Sequence, residues 1–270
     1  MKSSFFPFYR KGDCYPTRRW RRDGLDLDIE KLTWLAGRKL LALSGRKGPV
    51  GEIRLEYLDG GAVNPHEAFR QGRQEIVRLA ELGLDALREA AEGLTDPGTG
   101  HEKMALEKAA AAAVLEREIP PALGRLREIG MTARELGRLA QMLAATADAG
   151  RMAFFAGDVA EGLLEIKEAG ESFGGPETDA LTGLAGETIR MAEWAVDAYR
   201  EEAFDRLGMV QTMEETVETA RSGAAAGYLK RFADESAGPS PVLMQLFSDF
   251  GRCAEHAAAL AFSMTAGGEG

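Results

Sequence analysis

The sequence predicts an all-α protein whose six main helices form two pseudo-repeated antiparallel three-helix bundles. Three observations carry this expectation. Alanine and leucine supply much of the 45% apolar content, and such small or unbranched side chains favour closely packed helices over sheets. The stretch Arg78-Leu79-Ala80-Glu81-Leu82-Gly83-Leu84-Asp85-Ala86-Leu87 returns 112 residues later as Arg190-Met191-Ala192-Glu193-Trp194-Ala195-Val196-Asp197-Ala198-Tyr199. A second echo, Asp148-Ala149-Gly150-Arg151-Met152-Ala153, returns 101 residues later as Asp249-Phe250-Gly251-Arg252-Cys253-Ala254. Two motifs repeated in order indicate a duplicated unit, and the shorter second spacing fits a trimmed internal loop.

Residues 1–24 read as irregular. Over 25–45, Ile29, Leu32, Leu35, Ala36 and Leu40 recur at helical spacing, predicting a short helix that ends at the break from Gly45 to Pro49. Residues 51–59 alternate briefly and, being isolated, read as an extended lead-in. The first main helix starts at Asn64 (a cap), Pro65 (first turn) and Glu67 (third position of a capping box), and runs to about Leu94. The run from Thr95 to Gly100 ends it.

The second helix, about 101–129, contains the alanine run Ala109–Ala113; Pro120-Pro121 within it predicts a break or kink near Ile119. Gly130 stops that helix, and Thr132 with Glu135 caps the third, which sends Leu136, Leu139, Met142, Leu143, Met152, Phe155 and Val159 toward a core. Gly174-Gly175-Pro176 separates the halves. The second half then predicts helices over about 177–205, 208–234 and 240–264, with Gly238-Pro239 ending one and Ser240-Pro241 starting the next. The expected organisation is a basic N-terminal segment over 1–54, a first three-helix repeat over 55–173 and a second over 174–270.

Charge narrows the partners. Residues 1–50 hold 12 Lys/Arg against 5 Asp/Glu, while the rest of the chain holds 21 against 38. So acidic a body is a poor nucleic-acid binder, because a phosphate backbone needs a basic surface. The run Arg18-Arg19-Trp20-Arg21-Arg22, preceded by Phe5, Phe6, Phe8 and Tyr9, could touch anionic lipid or be a basic tail. No run of apolar residues is long enough to span a bilayer, and the opening residues lack a signal-peptide core. Cys14 and Cys253 have no metal-ligand spacing and form no disulfide framework. The expected location is cytoplasmic, with peripheral contact at the inner membrane face through the basic segment.

Few residues suggest chemistry. Glu81 with Asp85, and Glu193 with Asp197, each share a helical face, so the two pairs together could offer four hard oxygen ligands to Mg²⁺, Mn²⁺ or iron. Acidic pairs at this spacing also occur on ordinary solvated faces. Asp249, Glu255 and His256 form the most ligand-like cluster: Asp249 and His256 stand two turns apart on one face, while Glu255 is offset by about a third of a turn. An ion pair between Asp249 and Arg252 is the simpler account. His66, in a first turn, and His101, after a glycine, read as surface residues. No paired-histidine zinc pattern and no glycine-rich phosphate loop is present. Nothing nominates a catalytic triad, so the chain is expected not to be an enzyme.

The duplicated plan and the wording of the third helix resemble the PhoU family of phosphate-uptake regulators. That family carries Asp-x-Glu-Arg-Ile-x-Asp-His-Ala in each half. Here the first half has Asp148-Ala149-Gly150-Arg151-Met152-Ala153-Phe154-Phe155-Ala156, and the second the closer Asp249-Phe250-Gly251-Arg252-Cys253-Ala254-Glu255-His256-Ala257. The lead-in Glu56-Tyr57-Leu58-Asp59, with Asn64-Pro65-His66-Glu67-Ala68, is similar to the start of the PhoU-like cytoplasmic region of sodium/phosphate cotransporter-family proteins.

The resemblance covers about residues 55–264. It implies a PhoU-like pair of bundles that regulates phosphate transport by contacting a membrane transporter or signalling protein, with oligomers open to it. In some members Glu-x-x-x-Asp motifs also hold metal clusters. The departures bear on that last property. Gly150 and Gly251 replace the glutamate, and Phe154 replaces the later acid, which survives only as Glu255. The expected function is therefore a PhoU-like regulator or accessory protein. The alternatives are a carboxylate-based metal-binding bundle (with Mg, Mn or Fe) and a non-catalytic helical scaffold.

Overall fold

A computed structural model of the protein describes residues 53–58, 64–96, 99–170, 172–231 and 240–265. The chain divides into two units, Met1–Pro49 and Val50–Gly270. The basic segment and the helix expected over 25–45 lie outside the described residues. Within the second unit six long helices follow one another. Residues 53–58 form neither helix nor strand.

Helix α1 spans Pro65–Thr95. Asn64 Oδ1 accepts from the Glu67 N–H at 3.0 Å, as the sequence predicts, which satisfies one of the orphan donors of the first turn, but the box is not completed, because the Glu67 carboxylate turns to Arg70 and Gln71. Helix α2 spans His101–Arg125 and tightens into a 3-10 turn over Leu126–Ile129. The break expected near Ile119 does not occur: α2 continues as one helix through Pro120 and Pro121. Ile119, Ala122 and Leu123 are buried on one side of that turn while the prolines take half-buried and exposed positions. Burial of the three apolar side chains holds the turn helical against the proline penalty.

Helix α3 spans Ala133–Glu168 and opens with the full capping box: Thr132 Oγ1 accepts from the Glu135 N–H, and the Glu135 carboxylate accepts from the Thr132 N–H at 2.8 Å. Leu139, Met142, Met152 and Val159 are buried as expected, and Leu143 and Phe155 are partly so. Leu136 is a correction. In the first turn it points outward and is 43% exposed.

The second half consists of α4 (Gly175–Glu201), a 3-10 turn (Phe204–Arg206), α5 (Leu207–Arg231) and α6 (Pro241–Phe262). Glu202 ends α4 in the left-handed region at φ 52°. There its carboxylate takes Arg73 of α1 and Arg138 of α3, the latter at 3.0 Å, so the strained cap is held from both sides.

In each half the three helices pack pairwise, and the main packing between the halves is of α1 on α4 and α3 on α6. Each joining helix thus meets its own counterpart in the other repeat, as in a self-complementary interface. A continuous apolar core runs through all six helices. Gly83 permits the close crossing of α1 on α3, since a Cβ there would stand 3.0 Å from the Ala153 Cβ and 3.2 Å from its Cα. Among the described residues no helix is long and apolar enough to cross a membrane.

Candidate functional site

The two acidic pairs of the first echo do come together, one on each side of the α1–α4 seam, and arginines join them. Arg88 donates to Asp85 on its own helix at 2.9 Å and to Glu193 of α4 at 2.7 Å. Arg200 donates to its own Asp197 and, at 2.6 Å, to Glu81 of α1. Arg88 and Arg200 are themselves 112 residues apart. The echo therefore extends past the acids to the basic residue that neutralises them, and each half supplies the acid for the other's arginine. Glu193, through its hydrogen bond, raises the Arg88 pKa, and Asp85 adds to it.

The second echo lies on the α3–α6 seam. His256 Nδ1 meets Asp148 Oδ1 at 3.1 Å across the seam, and its ring stacks on Phe155 at 5.6 Å between centroids and 11° between planes. Phe155 is the residue 101 positions before His256, so the two repeats place an imidazole and a phenyl ring at matching sites. Asp148 has an imidazole partner. Asp249, its counterpart, is 1% exposed and receives Gln245 Nε2 on Oδ1 at 2.7 Å, while Oδ2 is buried without a partner. Burial pushes the Asp249 carboxyl up to about 6, against the pull of Gln245 and Arg252. Asp158 rises to about 8, first from burial and then from the fields of Asp249 and Glu161, which Arg151 only partly offsets. The Arg252 guanidinium lies over the Phe155 ring, 5.4 Å from its centroid. Burial also raises Cys253 well above the usual thiol range, so it is a poor nucleophile.

Glu255, next to His256 in sequence, points elsewhere. With Glu214, Val217, Glu218, Gly251 and Ala254 it lines a shallow cavity of about 130 Å³ between α5 and α6. A Cβ at Gly251 would run into the Arg221 side chain of α5, whose Nε and Nη2 donate to Glu218 at 2.7 and 2.5 Å. In the first repeat a Cβ at Gly150 would run into the Glu116 carboxyl of α2. Burial raises the Glu116 pKa, and Arg151 opposes that shift. Among the described residues no group of three or more His, Cys, Asp or Glu side chains converges to hold a metal ion.

Several partners were invisible to local sequence reading. Glu75 is fully buried and accepts the Glu56 and Tyr57 N–H groups, both at 2.8 Å, while Arg78 donates to it at 2.7 Å. These bonds moor the lead-in over α1. His101 is half-buried and bonds Glu89 at 2.8 Å, which raises its pKa. Arg88 and Arg200 could have been found by following the first echo one residue further; Glu116, Arg221 and Glu75 carry no local signal.

No family model matches the sequence, and no curated protein does. Solved structures do. PhoU from Pseudomonas aeruginosa aligns with a TM-score of 0.68 at 19% identity, covering 74% of this chain and 97% of that one. The phosphate transport system regulatory protein PhoU from Streptococcus pneumoniae aligns with a TM-score of 0.64 at 13% identity, covering 74% and 95%. The chain shares the PhoU fold.

Proposed function

We propose that this protein is a PhoU-like regulator or accessory protein of phosphate transport, acting through protein–protein contacts and not as an enzyme. The observation that carries the reading is its likeness to two PhoU structures over nearly the whole of their length. Fold alone does not confer function, so the argument also uses the side chains. The acidic pairs of the first echo are neutralised by Arg88 and Arg200 across the α1–α4 seam, and the one described thiol is buried and poorly nucleophilic.

The proposed partner is a membrane phosphate transporter or its signalling protein, met at the cytoplasmic face. The lead-in from Glu56 through Asn64-Pro65-His66 favours a sodium/phosphate cotransporter among these. Residues 1–54 are proposed as a basic arm for peripheral contact with anionic lipid, with 55–173 and 174–270 as the two repeats. Deleting the gene in its native cell and measuring phosphate uptake, together with recovery of the tagged full chain from native membranes, tests the reading. Altered uptake and co-purification of a phosphate transporter or its sensor are expected. Unchanged uptake with neither protein recovered would refute it.

A further inference from the structure

The fold family implies carboxylate-held metal clusters, and the residues of this chain do not fit them. In the first repeat the two acid positions are Gly150 and Phe154. The space beside Gly150 is filled by the Glu116 carboxyl, and the Phe154 ring stands 41% exposed, edge-on to Phe155 at 5.3 Å and near the Arg151 guanidinium. That leaves the Glu116 carboxyl, itself raised toward its neutral form by burial, and Asp148, whose Oδ1 is taken by His256. In the second repeat Glu214, Glu218 and Glu255 still line one cavity, and here the misfit takes a specific form.

We infer that Arg221 is a built-in cation that replaces a metal ion in the second repeat. Its side chain lies in the space that a Cβ at Gly251 would need, so the loss of a side chain on α6 is matched by an arm reaching in from α5. Both oxygens of Glu218 are engaged by donors: Oε2 takes Arg221 Nε, and Oε1 takes Arg221 Nη2 and, at 2.9 Å, Ser222 Oγ. A carboxylate neutralised by a guanidinium at two points offers a hard cation little net charge, and the guanidinium's own charge repels a second cation at this range. Glu255 acts on the same guanidinium and raises its pKa further, after Glu218. Glu214 is itself pushed toward its neutral form by burial and then by Glu255 and Glu215, which weakens it as an ion ligand. A planar fork suits this site, because it satisfies a carboxylate at two points while its aliphatic stem packs over bare backbone.

The inference rests on this geometry and not on the phosphate-transport reading, so the two can fail separately. The test titrates the full chain with Mn²⁺, read by calorimetry and by loss of the free Mn²⁺ paramagnetic signal. Wild type is expected to show no stoichiometric uptake. Arg221→Met, which keeps a stem over Gly251 and removes the charge, is expected to take up one Mn²⁺, a gain of roughly tenfold or more in affinity. Adding Glu218→Gln should abolish the gain, and Arg221→Lys should behave as wild type. Arg221→Ala provides the same readout should the methionine pack poorly. The inference is overturned if wild type binds one Mn²⁺ that Glu218→Gln removes. It is equally overturned if folded Arg221→Met and Arg221→Ala both fail to gain binding, or if Arg221→Lys gains as much as Arg221→Met.

Discussion

At the scale of single residues, the carboxyls withdrawn from water differ in how well they are supplied with partners. Glu75 is fully buried and well supplied, with two backbone N–H groups and a guanidinium. Glu75→Gln keeps the shape but weakens the charge-assisted bonds, and is expected to cost about 1–2 kcal/mol. Hydrogen exchange at the Glu56 and Tyr57 amides should quicken in the variant; unchanged exchange would rule out the mooring role. Asp249 has Gln245 on one oxygen and nothing on the other, and Asp158 stands in the fields of Asp249 and Glu161. Asp158 is raised from 3.8 to about 8, so between those values the folded chain holds a proton that the unfolded chain has released. This contribution is therefore fully present below pH 3.8 and is lost as pH rises through about 8. Thermal denaturation should show stability falling over that window. Asp158→Asn should flatten the fall and stabilise the chain by about 2 kcal/mol at the alkaline end. A wild-type melting profile already flat across the window would sink the argument.

At the scale of elements, how much could be read from sequence depended on how local the cause was. The starts of α1 and α3 were legible because Asn64–Glu67 and Thr132–Glu135 are three-residue devices. The path of α2 through Pro120 and Pro121 was not, because burial of Ile119 and Leu123 against other helices decides it. Pro121→Ala restores a backbone donor in a turn already helical, and should raise the melting temperature, with a gain of about 1 kcal/mol or more. A lowered melting temperature would show that the proline itself fits the packing. The acidic pairs of the first echo and their own-helix arginines were legible as faces on helices, but the pairing of Arg88 with Glu193 and of Arg200 with Glu81 across the seam was not. These pairs are half exposed, so Arg88→Ala should cost only about 0.5 kcal/mol. The exchange Arg88→Glu with Glu193→Arg should recover most of what either reversal loses alone, as a double-mutant cycle would show.

At the scale of the whole helical unit, the two echoes revealed duplication without revealing that counterpart helices would face each other. That follows only from the packing of α1 on α4 and α3 on α6. It leads to a prediction about fragments. A chain limited to the first repeat exposes the apolar flanks of α1 and α3 together with Glu81 and Arg88, which are complementary to themselves. Such a fragment is expected to pair with a second copy, with Arg88 of each taking Glu81 of the other. Light scattering coupled to size exclusion should report a dimer, weakened by Arg88→Glu. A stable monomer with native-like helicity would contradict it.

The Phe155–His256 stack has a consequence for how the gene can change. Duplicated segments within one gene are open to copying of one over the other, which erases differences between them. Copying the first repeat's α3 sequence over α6 would put phenylalanine at position 256 and deprive Asp148 of its only hydrogen-bonded imidazole. Asp148 would then lose the imidazole across the seam, and Asp249 would gain nothing in exchange. The stack and its hydrogen bond therefore depend on the two halves differing at this one matched position.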